Sequence, residues 1–301
     1  MEETLFGVLN VYKPKGMTSH DVVAILRRTL HMKRIGHTGT LDPIAEGVLP
    51  ILIGKATKLS DLLMAEEKRY KAGVKLGVTT DTDDLTGEVI AKSDVTVTEE
   101  EVRKVLDTFK GKQAQIPPMY SAIKVDGKKL YELARKGVVT ERKPRDIEIY
   151  DLKIENFKGD TFDLTVHCSK GTYIRALCRD IGAALQTGAA METLVREQSG
   201  DFTLENAHTL EEIKTAAENN TVENFLISAD EVLKDIPRID VTEEFCVKIK
   251  NGIRLRPEQL GILDAKEENL YCVYFQDTLL CVLKAAPDEN TLVLKMEKSF
   301  Y

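Results

Sequence analysis

Apolar positions in this chain fall into short runs broken by Gly, Pro and clusters of charge. Residues 6–12 (FGVLNVY) read as a buried strand, stopped by Lys13-Pro14-Lys15-Gly16. Thr18 or Ser19 then suits the cap of a helix over 20–30, with Val22, Val23, Ile25 and Leu26 as its apolar positions. A Gly-rich turn at 36–47 leads into a second buried strand at 48–53, a helix at 55–63 and an alternating strand at 69–76. An acidic loop follows at 79–87. Thr98 and Glu101 have capping-box spacing before a helix that runs to Phe109. Residues 111–121, with Pro117-Pro118, read as a loop, and Asp126-Gly127 as a hairpin turn. A helix at 130–136 meets Gly137 as its C-cap. Residues 147–157 and 161–168 form a hairpin about Lys158-Gly159-Asp160. In 173–185, Ile174, Leu177, Ile181 and Leu185 share one helical face. A strand at 191–197 and helical stretches to Leu233 complete the first part.

Pro237 marks a boundary. Beyond it, 238–301 holds strand-like runs (YCVYF, TLLCVLKA, TLVLKM) separated by turns, which predicts a small C-terminal β domain. Before it, strands and helices alternate irregularly. That pattern predicts an α+β fold with a mixed, mostly antiparallel sheet flanked by helices, rather than a doubly wound one. The expected domains are therefore 1–236 and 237–301.

Composition excludes several classes. The chain has 301 residues, 43% hydrophobic and 30% charged, which is enough apolar material for a core of ordinary size. No apolar stretch approaches the roughly 20 residues of a membrane span. The first residues (MEETLFGVLN) lack the basic and apolar regions of a signal peptide. Five cysteines without a C-x-x-C pair read as reduced thiols of a cytoplasmic protein. Five histidines without metal-ligand spacing argue against a zinc site.

The formal charge is −7, which taken alone disfavours a nucleic-acid partner. Its distribution changes that reading. Residues 81–101 hold eight acids and one base, and 201–236 hold nine acids and two bases. Bases concentrate elsewhere: six against one acid in 13–36, and eight against three in 124–145. Segregated charge allows a local basic groove on an acidic protein. The same runs also suit solvated helix faces.

The densest chemistry lies in 36–50, GHTGTLDPIAEGVLP. Gly36 and Gly39 permit backbone conformations and close approaches that other residues resist. Pro43 restricts Asp42 to extended conformations, which holds one carboxylate rigidly at a loop tip. A lone Asp-Pro is an ordinary turn. Fifteen residues of this composition, running straight into a buried strand, favour a built site.

At these residues the chain resembles the catalytic motif of the TruB family of tRNA pseudouridine synthases. Other blocks extend the resemblance in order from about residue 7 to 203: NVYKPKGMTS at 10–19, Lys68-Arg69-Tyr70, PPMYSAIK at 117–124 with Gly127, Leu130-Tyr131-Glu132, Ala134-Arg135 and Gly137, CSKGTYIRAL at 168–177, and Leu194-Val195-Arg196 with Ser199-Gly200. The last block is usually written with two adjacent arginines, and here Val195 takes one of those places. The continuation 45–50 and the compact tail resemble the bacterial stand-alone enzymes more than the guide-dependent relatives. The tail itself resembles a small PUA-like domain.

The resemblance implies a pseudouridine synthase-like fold and the isomerisation of a T-loop uridine (uridine 55) of tRNA, without cofactor or metal. Asp42 is then the catalytic carboxylate, attacking C1′ or removing a sugar proton. Arg175 is its charge partner, because an ionised carboxylate in a pocket needs one. Tyr70 stacks on the extruded base, Leu194 lines an apolar wall, and His37 stacks into the vacated space. Lys13, Tyr120, Lys124 and Arg135 are expected on the RNA, the basic residues at phosphates. The expected partner is the T-arm stem-loop, bound by a monomer without an obligatory protein partner. On residue chemistry alone, Arg175 also suits a surface ion pair, Tyr70 a core position and His37 a turn. A tRNA-folding chaperone and a subunit of a guide-RNA complex remain the competing readings.

Overall fold

The structure is a computed structural model that describes residues 5–64, 67–121, 123–125, 127–134, 136–138, 140–289 and 291–301; the side chains at 124, 125, 128 and 129 lie outside that description. β1 (Gly7–Lys13) is buried almost throughout. Thr18, not Ser19, caps α1 (Ser19–Thr29): its hydroxyl accepts from the Asp21 N–H, and the Asp21 carboxylate accepts from the Thr18 N–H. β2 (Ile35–His37) pairs with β3 (Ala45–Ile53), which is buried at every residue but Glu46. The helix expected at 55–63 is a 3-10 turn, Gly54–Leu59. β4 (Glu67–Leu76) alternates as expected, and β5 (Val78–Thr80) with β6 (Val89–Lys92) flanks the acidic loop. The Thr98/Glu101 capping box starts α2 (Glu99–Thr108).

The first half of the loop expected at 111–121 is instead β7 (Gly111–Gln115). GKQAQ carries no β-branched residue, so its strand state comes from pairing with a neighbour at the sheet edge. β8 (Lys124–Val125), β9 (Lys128–Lys129) and α3 (Leu130–Ala134) follow, then the expected hairpin of β10 (Arg145–Glu155) and β11 (Thr161–Ser169). After α4 (Ile174–Ala184) come β12 (Ala189–Ser199), β13 (Phe202–Thr203), α5 (Leu210–Glu218), β14 (Leu226–Ile227) and α6 (Ala229–Val232).

Among the described residues ten of these strands form one sheet, with a path β14-β1-β3-β12-β4-β11-β10-β7 and with β2 on β3 and β13 on β12, while β5–β6 and β8–β9 are separate two-stranded pairs. The large sheet is mixed and mostly antiparallel, as predicted, and its parallel pair is β12 on β3. β12 is inserted between two strands from the first quarter of the chain. Its Leu194 lies beside Ala45 of β3 on one side and Ala72 of β4 on the other. No local pattern announces such a placement, because both partners are distant in sequence.

The close approach of β12 to β3 depends on Gly47. Its φ is +104°, and a Cβ there would lie 2.3 Å from the Arg196 carbonyl oxygen. Gly47→Ala is expected to cost about 3 kcal/mol or more, by strain and overpacking together. Gly16, also at positive φ (+89°) but with open space around it, should cost only about 1 kcal/mol on the same change. Equal losses in denaturant unfolding would show that the β3–β12 contact is not the cause.

Beyond Pro237, β15 (Arg238–Asp240), β16 (Leu270–Phe275), β17 (Thr278–Asp288) and β18 (Thr291–Ser299) make a separate four-stranded sheet. The sequence pattern predicts strands alone here, but α7 (Glu243–Lys250) buries Cys246 and Ile249 under the sheet. The β-branched Val247 and Ile249 obscure that helix in the sequence. One face of this sheet packs on α7. The other shares an apolar cluster with Val8, Val48, Leu52 and Leu59 of the large unit. No helix among the described residues is long and apolar enough to cross a membrane.

Candidate active site

Asp42 lies in the loop between β2 and β3, and the loop is tied down on several sides. The Leu41 N–H donates to the buried Ser19 hydroxyl at 2.8 Å. The Gly16 N–H donates to the Pro43 carbonyl at 2.7 Å, and the Ala45 N–H to the Asp42 carbonyl at 3.0 Å. Arg196 Nη2 donates to the Gly39 carbonyl at 2.9 Å. The carboxylate itself stays 36% exposed while its partner is nearly enclosed: Arg175 is 5% exposed, and its Nε donates to Asp42 Oδ2 at 2.9 Å.

Arg175 stands in the first turn of α4, where a cation opposes the helix dipole. Its surroundings offset this. Nη1 donates to the Thr82 carbonyl at 3.0 Å and Nη2 to the Tyr120 carbonyl at 2.8 Å. Asp84 Oδ2 lies 3.8 Å from Nε. The helix start has no side-chain cap of its own. Buried Gln115, at the end of β7, bridges it instead, donating to the Tyr173 carbonyl at 3.1 Å and accepting from the Tyr173 N–H at 2.9 Å.

Strand register supplies the floor. Tyr70 on β4, Arg196 on β12 and Gly47 on β3 lie in one row across the sheet. Ala72, Leu194 and Ala45 form the next row. Tyr70 and Leu194 share an apolar cluster with Leu41, Ile44 and Ile174. Burial pushes the Tyr70 phenol up to about 12, against the opposing charge of Arg196 beside it. Tyr70 is therefore protonated at neutral pH.

The structure thus brings Asp42, Tyr70, Arg175 and Leu194 together. His37 ends β2, half-buried, and burial lowers its pKa so that the ring is neutral at physiological pH. Its Nδ1 is buried with no hydrogen-bond partner among the described residues. Tyr120 meets the site through its carbonyl. The Lys124 side chain and Arg135 lie outside the described residues.

Lys13 does not sit where a phosphate contact is expected. It is 0% exposed, and its ammonium donates to the carbonyls of Pro14 and Met17 at 2.9 and 2.7 Å. Burial lowers its pKa to about 8, although Asp42 and Glu46 pull the other way. Between pH 8 and its ordinary value of 10.5, the unfolded chain holds this proton and the native state does not. Stability from this group therefore rises with pH across that window. Relative to Lys13→Met, the wild type should gain up to roughly 3 kcal/mol there. A pH-independent difference in unfolding free energy would contradict this.

Asp84, the Thr82 carbonyl and Gln115 join the site without being singled out by the sequence, and Arg196, named there only as part of the Leu194-Val195-Arg196 block, joins it as well. The acidic loop reads as a solvent-facing one. Asp81 does face solvent, but Asp83 and Asp84 turn inward toward α4. The signal in the sequence is only a charge run beside a turn. Among the described residues, no group of three His, Cys, Asp or Glu side chains is placed to hold a metal ion.

Residues 27–174 match the N-terminal domain of the TruB family of pseudouridylate synthases. Residues 175–236 match the tRNA pseudouridylate synthase B C-terminal domain, a segment that includes β12 at the centre of the large sheet. The tRNA pseudouridine synthase B of Clostridium tetani is 45% identical over 276 residues, 91% of this chain and 93% of that protein. That of Bacillus cytotoxicus is 49% identical over 278 residues, 89% and 91% respectively. A chain of a crystallised Cbf5-Nop10-Gar1 complex superposes with a TM-score of 0.72 at 26% identity, over 98% of this chain and 84% of that one. With identity at this level along nearly the whole length, the chain belongs to the TruB family of pseudouridylate synthases.

Proposed function

We propose that the chain isomerises the T-loop uridine of tRNA, uridine 55, to pseudouridine, with Asp42 as its catalytic carboxylate. The observation that carries this reading is the Asp42–Arg175 pair at 2.9 Å, partly open to solvent beside Tyr70 and Leu194. The N1–C1′ bond of the uridine breaks, the base turns over, C5 bonds to C1′, and the C5 hydrogen leaves as a proton. Asp42 serves either by bonding to C1′ or by taking a sugar proton. Arg175 pairs with its carboxylate and aims it. Tyr70 stacks on the flipped base and Leu194 bounds it. The neutral ring of His37 fills the space the base leaves.

We take 1–236 as the catalytic domain and 237–301 as a small PUA-like domain that contacts RNA. The separation of the two sheets at Pro237 supports it. A monomer acting in the cytoplasm on the T-arm alone completes the reading. The test uses tRNA transcribed with uridine tritiated at C5. Release of label to water from the T-loop position, by this protein alone, is the expected result. Tight binding without release would favour a tRNA-folding role, and release only with added protein and guide RNA would favour a complex subunit.

A further inference from the structure

We propose that Arg179 is a positioning residue for this reaction, holding the two loops that set the Arg175 guanidinium. The inference rests on the reaction proposed above. Arg179 follows Arg175 by four residues on α4, so the two side chains leave the same helix face about 6 Å apart. They grip the same two loops at neighbouring points. Arg175 takes the Thr82 and Tyr120 carbonyls. Arg179 Nη1 donates to Asp83 Oδ2 at 3.0 Å and Nη2 to the Ile116 carbonyl at 3.0 Å. Its Nε donates to Asp180 Oδ1 at 2.9 Å, which fixes the fork on the helix.

Asp83 is the point of leverage. Its φ is +63°, a left-handed conformation that a non-glycine residue adopts only when its surroundings hold it there. That turn places the Thr82 carbonyl on Arg175 on one side and brings the Asp84 carboxylate toward it on the other. The Asp83 side chain is largely buried, and among the described residues Arg179 forms its ion pair, with weaker attraction from Arg175 and Arg142. Without that pair a buried carboxylate loses its strongest compensation, and the loop is driven toward solvent. Arg175 then loses the acceptor on Nη1, and the donor facing Asp42 is no longer fixed. The Ile116 bond acts likewise on the segment that carries the Tyr120 carbonyl.

The test compares wild type, Arg179→Gln, Arg179→Lys, Asp83→Asn and the double variant Arg179→Gln/Asp83→Asn in the tritium-release assay. Expected is a kcat loss of about 10- to 100-fold in each single variant, with KM for tRNA within about twofold. The double variant should be no worse than the singles, because both break one unit. Lysine should not rescue, because one ammonium cannot reproduce a fork on two acceptors. Asp83→Asn keeps the assignment testable if the arginine variants fail to fold. A raised KM, rescue by lysine and a salt slope lowered by about 1 would instead make Arg179 a direct phosphate contact and overturn the proposal. Unchanged kcat in the folded single variants would overturn it as well. Inactive wild type would defeat the proposed reaction itself.

Discussion

Asp42→Asn is expected to abolish tritium release, by at least about 10⁴-fold in kcat, while tRNA binding is retained. Asparagine matches aspartate in shape, so the loop contacts through Ser19, Gly16 and Ala45 have no reason to change. Arg175 keeps its carbonyl acceptors at Thr82 and Tyr120. What disappears is the negative charge. A neutral amide can neither bond to C1′ as a carboxylate does nor take a sugar proton, so both candidate routes fail together. In the proposed reading, binding draws on many phosphate contacts rather than on this one group. A variant that releases label within tenfold of wild type would remove Asp42 from the chemistry.

Arg196→Met carries the largest expected loss of stability, about 3–5 kcal/mol. The residue is 1% exposed, and its guanidinium donates to the carbonyls of Val48 and Gly39 at 2.7 and 2.9 Å. Methionine fills much of the volume but leaves both carbonyls buried without a donor. The damage has a direction. Gly39 belongs to the loop that carries Asp42, and Tyr70 lies against the same guanidinium. A loss of kcat is therefore expected alongside the lower denaturant midpoint. Arg196→Lys should recover little of either, because lysine cannot span two separate acceptors as a fork does. A midpoint shift worth under about 1 kcal/mol would mean that water replaces the lost donors.

Much of the local structure is legible in the sequence. The Thr98–Glu101 box caps its helix, the hairpin at 147–168 forms as read, and 36–50 is a tethered loop that opens a buried strand. These features depend on neighbours within a few residues, so short-range pattern suffices. Lys13 misleads for the opposite reason. A lysine beside Pro-Lys-Gly looks like surface, and only the fold supplies the Pro14 and Met17 carbonyls that hold its ammonium inside.

The family resemblance, carried by motifs in order along the chain, points to Asp42, Tyr70, Arg175 and Leu194 from the sequence alone. Composition and periodicity do not join them. Insertion of β12 between β3 and β4 aligns Tyr70, Arg196 and Gly47 in one row, and the docking of α4 brings Arg175 onto Asp42. The same docking turns Asp83 and Asp84 from a charge run into partners for two arginines. Sequence determines local elements because capping, turns and periodicity act between near neighbours. Tertiary structure alone decides which buried charges meet, because an ion pair's worth depends on the desolvation and geometry that distant segments create together.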